Sequence, residues 1–350
     1  MKKLNLVVLA IILIGFASCN DSEKKVLKID RNSVVTRHNV KIKQVDTLAS
    51  LTVGNGKFAF TVDVTGLQSF PETYGNGVPL GTQSEWGWHT FPNTEEFTFK
   101  ETLKAYDFNG NPESLYAIQD REDDRNMAAA DHFRANPHRL QLGNVGLEIT
   151  KADGTLALPN DLKEINQELN LWTGEIESNF MIEGVPVKVY TLGDSDRDAI
   201  AVKIASPLIA ENRIKLKFRF PYPTNQFSDR GVNYTNSDLH ETTATEASEN
   251  SFVFHRILNN DRYYVTAKTN TKSQLNKIED HYFTISPVAQ DNFEVVVDFS
   301  PTKINAESNF NQLKQNSKSA WENYWLSGGI VDFSDCTDAR AILFGAKQHF

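Results

Sequence analysis

Apolar and polar residues alternate one by one along several stretches of this chain, the period-2 pattern of strands with one face buried. Phe58, Phe60, Val62 and Val64 share one face, with Ala59, Thr61 and Asp63 on the other. Ile214, Leu216, Phe218 and Phe220 alternate with Lys215, Lys217 and Arg219, and Phe293, Val295, Val297 and Phe299 with Glu294, Val296 and Asp298. Further strands are expected over 145–150, 180–192, 199–206, 251–257, 262–269 and 281–288, separated by polar or Gly-, Pro-, Asn- and Asp-bearing segments. Many strands with one polar face predict antiparallel sheets packed face to face. The expected fold is therefore mainly β, one large antiparallel sandwich over 30–302. Residues 227–250, rich in Ser, Thr, Asn, Asp and Glu, read as a long surface loop or a hairpin tip.

The period changes over 303–327. Phe310, Leu313, Ser317, Ala320, Trp321, Tyr324 and Trp325 follow helical spacing. Asn305 or Ser308 offers an N-cap, and Gly328-Gly329 a stop. A linker helix thus follows the sandwich.

With 350 residues, 40% of them hydrophobic, the chain can bury a large core, which excludes global disorder. A count of 22 Phe against 3 Met leans further toward β structure. The net charge of −9 argues against nucleic-acid binding driven by phosphate neutralisation. The N-terminus reads as an address. Met1-Lys2-Lys3 leads into an apolar stretch over 6–16 and then Ala17-Ser18-Cys19, the three regions of an export signal. Such a stretch falls short of the roughly 20 residues that span a bilayer.

A cysteine directly after Ala17-Ser18 resembles a bacterial lipoprotein signal, cut before the cysteine and lipidated on its thiol, although Phe16 stands where Leu is commonest. The resemblance implies a leader over 1–18, a lipid on Cys19 that anchors the chain to a membrane, and a polar tether over 19–29. Removing 18 residues, Lys2 and Lys3 among them, leaves 332 residues and shifts the net charge from −9 to −11. Cys336 then has no partner, so no disulfide is expected.

Three segments carry candidate chemistry. Gly54-Asn55-Gly56 is a tight turn feeding a strand, either a plain β-turn or part of a site; a helix would have to follow for a phosphate loop, and none does. Trp86-Gly87-Trp88-His89 is either a core Trp pair or a platform on which sugar rings stack while His binds hydroxyls. Asp131 to Leu140 crowds His132, Arg134, His138 and Arg139 around the Asn136-Pro137 turn. That segment reads as the wall of a polar cleft or as an ion-paired loop near Glu122, Asp123 and Asp124. Asp194-Ser195-Asp196-Arg197-Asp198 lacks the Gly and Glu of a calcium loop, with Ala199 and Ala205 in their places, and reads as an acidic turn. No metal-ligand set, cofactor motif or catalytic residue is assigned.

Together these pieces resemble the N-terminal region of bacterial six-hairpin glycosidases, similar to glycoside hydrolase family 65 and its neighbours, in lipoproteins of the Bacteroidetes type. The resemblance rests on Val53-Gly54-Asn55-Gly56-Lys57-Phe58, on 59–68 through Trp86-Gly87-Trp88-His89, and on Trp321-Glu322-Asn323-Tyr324-Trp325, and it spans about 30–341. It implies a β-sandwich that precedes an (α/α)6 catalytic barrel, with the catalytic carboxylates in the barrel. Residues 328–350 then correspond to the start of a truncated barrel, and the family-like sequence ends near Ala341. The implied partner is an oligo- or polysaccharide, with hydrolysis and phosphorolysis both open, or else the chain is a self-sufficient carbohydrate-binding surface lipoprotein. Trp86, Trp88, His89, Arg134 and Arg139 are the residues the resemblance places at a sugar pocket or a domain interface. Without a barrel, Phe310, Leu313, Trp321, Tyr324 and Trp325 are expected to form an exposed apolar patch.

Overall fold

In the computed structural model, which describes residues 29–118, 123–288, 291–305, 307–333 and 337–340, strand Asn292–Ser300 lies near the middle of a nine-stranded antiparallel sheet. Its neighbours on one side are Ala199–Ala205, Val185–Gly193, Glu175–Ile182, Leu162–Asn170 and Val40–Ile42; on the other they are Asp261–Thr269, Ser251–Leu258 and His240–Ser248. A four-stranded sheet holds Ser273–Glu279, Tyr282–Pro287, Ile214–Arg219 and Asn144–Ile149, and a three-stranded one Leu51–Gly54, Phe58–Val62 and Thr82–Ser84. Inward side chains from all three sheets, among them Phe60, Phe218, Phe254, Val265 and Val295, merge into one apolar core. The fold is mainly β, as the alternation predicts.

The expected polar face of Asn292–Ser300 is not left to water. Val296, with Leu192, Ala199 and Ala201, packs against Phe310 and Leu313 of helix Phe310–Ser327. Six of the seven helical positions read from the sequence behave differently from an open patch. Phe310, Leu313 and Ser317 are buried, while Trp321 and Trp325 are half-buried, so only Tyr324 among the aromatic residues is freely exposed. The expected patch is thus largely covered, because the helix seats on the outer face of the nine-stranded sheet. Its N-cap is Asn309, whose side chain accepts from Gln312 N at 3.0 Å. Ser308 is engaged elsewhere, taking a hydrogen bond from Arg197 Nη2 at 3.1 Å, and the helix begins at Phe310, later than 303.

Two more segments differ from the sequence reading. Within 227–250, His240–Ser248 is an edge strand paired with Ser251–Leu258. Its Thr and Glu side chains suit an edge that must stay unpaired on its outer side. The crowded 131–140 segment begins as a helix, Asp124–Ala135, capped by Asp123, whose Oδ1 accepts from Asn126 N at 2.8 Å. The stretch 180–192 is divided into two strands by a turn at Glu183 and Gly184, both at positive φ.

The contact pattern separates residues 35–328 from a second unit formed by 1–34 and 329–350. All sites below belong to the first. In the second, Arg340 pairs with Asp338 at 2.9 Å. The leader, Cys19, most of the tether, Cys336 and residues 341–350 lie outside the described residues.

Candidate functional site

The Gly54-Asn55-Gly56 turn is built by its own side chain. Asn55 Oδ1 accepts from Lys57 N at 3.0 Å and Phe58 N at 2.9 Å, and Asn55 Nδ2 donates to the Arg197 carbonyl at 3.0 Å. A Cβ on Gly54 would lie 2.0 Å from the Phe58 carbonyl oxygen, so glycine is required there. The turn is therefore structural, and it forms one wall of a groove of about 750 Å³. Gln83, Glu85 and Arg139 line the groove beside it, and Trp321 and Tyr324 of the long helix stand along it. Trp321 and Trp325 stack with ring centres 6.2 Å apart, and Trp325 Nε1 donates to the Leu171 carbonyl at 2.7 Å, which fixes the aromatic face.

Beneath the turn, the expected acidic turn does structural work. Asp194 Oδ1 accepts from Asp196 N at 2.8 Å and closes the turn between Val185–Gly193 and Ala199–Ala205. Asp198 accepts from Ser84 Oγ and from Trp86 Nε1, the latter at 2.6 Å. Arg197 Nη1 lies 3.0 Å from the buried Asp298 carboxylate. Burial raises Asp298 to about 6, Arg197 opposes that rise and Asp194 adds to it. Among the described residues, no three His, Cys, Asp or Glu side chains form a metal-binding group.

The five candidates fall into two sets. Trp86 is tied to Asp198 and packs on the core beside Tyr263, with ring centres 6.0 Å apart. His89 is fully buried, with Nδ1 2.8 Å from Asp261 Oδ2 and an edge contact to Phe91 at 4.6 Å. Burial lowers its pKa, against the pull of Asp261. His89 is thus interior, while Trp86 is half-buried against the core with its indole N–H already engaged. Trp88, Arg134 and Arg139 instead line one cleft of about 270 Å³.

Strand pairing explains that meeting. Trp88-His89 forms a short antiparallel ladder with His138-Arg139, so Trp88 stands directly opposite Arg139. The Arg139 guanidinium lies 4.0 Å over the Trp88 ring, and its Nη1 donates to the Ser84 carbonyl at 2.7 Å. Arg134 Nη2 donates to the Ile118 carbonyl at 3.1 Å. Gln83 and Arg139 line both the groove and the cleft. Sequence reasoning did not place Trp321 and Tyr324 in a site, nor Phe227 and Arg230 of the cleft. The aromatic density of 321–325 was the available signal for the first pair. The second pair sits in a polar stretch without any signal.

No protein-family model matches the chain, and no curated protein matches it. Among solved structures it is similar to a protein described as a kojibiose phosphorylase from the human microbiome, with TM-score 0.42 and 10% identity over 88% of this chain and 37% of that one. It is also similar to a bacterial glucoamylase complexed with acarbose, with TM-score 0.38 and 14% identity over 52% of this chain and 31% of that one. A family GH92 α-mannosidase from Bacteroides thetaiotaomicron gives TM-score 0.24 and 9% identity over 53% of this chain and 28% of that one. The chain thus spans little more than a third of the length of the first of these.

Proposed function

We propose that this chain is the carbohydrate-associated β-sandwich of a glycoside-processing protein, and that its own contribution is to bind saccharide. The observation that carries the reading is the groove of about 750 Å³, where Trp321 and Tyr324 face Gln83, Glu85 and Arg139. Indole and phenol rings take the C–H face of a sugar, while amide, carboxylate and guanidinium groups bind its hydroxyls. Its volume falls within the roughly 300–1,000 Å³ typical of pockets that hold drug-sized ligands.

Bond cleavage belongs elsewhere in this reading. Glycoside cleavage usually takes two opposed carboxyl groups. Among the described residues lining the groove, Glu85 alone carries one, and it pairs with Lys57 at 3.3 Å. A helical catalytic domain of the six-hairpin type would supply the pair. The same lone carboxylate is compatible with a self-sufficient saccharide-binding lipoprotein, and turnover separates the two once such a domain is added in trans.

The test is glycan binding by the full chain, read by calorimetry on hits from a glycan array. Wild type is expected to bind without releasing sugar, and W321A and Y324A to weaken binding about tenfold or more. Turnover by this chain alone would refute the division of labour. Failure of wild type to bind any glycan would refute the saccharide site.

A further inference from the structure

The cleft beside the groove carries an excess of positive charge on a chain whose net charge is −9. Arg134, Arg139 and Arg230 line it against one acidic residue, Asp229, and the Arg230 guanidinium packs over Gly75 at its margin. Arg134 is partly neutralised by Asp131 at 3.5 Å. Arg139 and Arg230 make no ion pair among the described residues. Asp229 is already engaged, its Oδ1 accepting from Gly231 N at 2.7 Å and Thr224 Oγ1 at 2.9 Å.

Arg139 is held ready for a ligand. Its contact with the Trp88 ring and its bond to the Ser84 carbonyl fix the guanidinium plane and use one N–H group. The remaining donors form a planar fork suited to an anion with two or three oxygens. Because the side chain is already ordered, binding costs less rotamer entropy. Trp88 is 42% exposed and Phe227 74% exposed, so apolar surface lies on the same walls as the cations. Fixed cations beside aromatic surface match a sugar ring that bears a charged substituent.

We propose that this cleft binds an anionic saccharide, with its carboxylate or sulfate group held by Arg139 and Arg230 and its ring against the exposed part of Trp88. The proposal rests on the reading of the adjoining groove as a saccharide site. Gln83 and Arg139 line both, so one oligosaccharide can run from groove to cleft with its charged unit at the cleft end.

The experiment is calorimetry on the full chain with three oligosaccharides of matched length, one neutral, one bearing uronate and one bearing sulfate. At least one anionic ligand is expected to bind about tenfold or more tightly than the neutral one, and the tighter of the two identifies the anion. The preference should shrink as salt is added. R139K keeps the charge but loses the fork, and it should lose most of the preference. R230Q, at an exposed position outside the groove, should lose the preference while keeping neutral binding, which guards against a folding defect in R139K. Equal affinity for neutral and anionic ligands would overturn the cleft proposal and leave the groove standing. No binding to any of the three, in a chain that binds nothing on the array, would overturn both. Equally tight binding of inorganic polyphosphate would also overturn it, since plain charge attraction would then suffice.

Discussion

Arg256 is fully buried, yet the groups it touches are neutral. It donates to the carbonyls of Glu241 at 2.9 Å and Pro221 at 3.2 Å, to Thr242 Oγ1, and to His240 Nδ1 at 2.6 Å. Arginine only donates, so His240 Nδ1 must be an acceptor and the ring must be neutral. His281 stacks on His240 with ring centres 3.7 Å apart, and a second cation there would meet Arg256 as well. Burial first, then Arg256 and His281, push His240 down to about 3 from an ordinary 6.5. The unfolded chain therefore binds a proton below 6.5 that the folded chain refuses down to about 3. The stability that His240 contributes is present above 6.5 and is lost as pH falls through that window, by up to about 1.4 kcal/mol per pH unit. H240N, which offers an acceptor oxygen but does not titrate, should show a shallower loss of stability between pH 6.5 and 4. Urea midpoints across that range check this, and parallel curves for wild type and H240N would refute it.

At the level of elements, the sequence shows what is half-buried and hides what is not. Ile214–Arg219, with one face in the core, alternates clearly and was legible, and so was Asn292–Ser300, although the helix covers its other face. Strands at or near the edges, such as Leu162–Asn170, His240–Ser248 and Ser273–Glu279, bury few side chains and carry no such signal. The candidate site divides the same way. Trp88 and Arg139 were visible as residue types, but their meeting depends on a ladder between segments 50 positions apart, which local pattern cannot reveal. Nor could spacing tell the half-buried Trp86, packed on the core, from the exposed Trp88, which sit on opposite sides of Gly87. The long helix offers a test of how tightly one element sets the groove wall. Gly174, in the turn between Leu162–Asn170 and Glu175–Ile182, has φ +69°, and a Cβ there would come 2.0 Å from Trp321 Nε1. Gly184 has φ +79° with nothing within 4 Å. G184A should therefore cost only backbone strain, about 1 kcal/mol. G174A should cost distinctly more, and it should also displace Trp321 and weaken glycan binding. Equal melting points for the two variants would show that the indole yields freely and does not form a fixed wall.

For the whole molecule, we propose that the chain is tethered to a membrane through a lipid on Cys19. Residues 1–19 carry the basic start, the apolar stretch and the Ala17-Ser18-Cys19 site in the order that export and lipidation require. Among the described residues, no helix is long and apolar enough to cross a membrane. Each buried CH₂ of an acyl chain contributes about 0.8 kcal/mol, and one chain alone holds only weakly. Two or more chains on one cysteine would fix the protein at a membrane while leaving its acidic body in water. Cys19→Ser removes the thiol and nothing in the sandwich. Expressed in a bacterial host that processes lipoproteins, wild type should incorporate labelled fatty acid and sediment with membranes. C19S should incorporate none and shift to the soluble fraction, with its glycan affinity unchanged. Equal sedimentation of the two proteins would refute the anchor, whatever the groove binds.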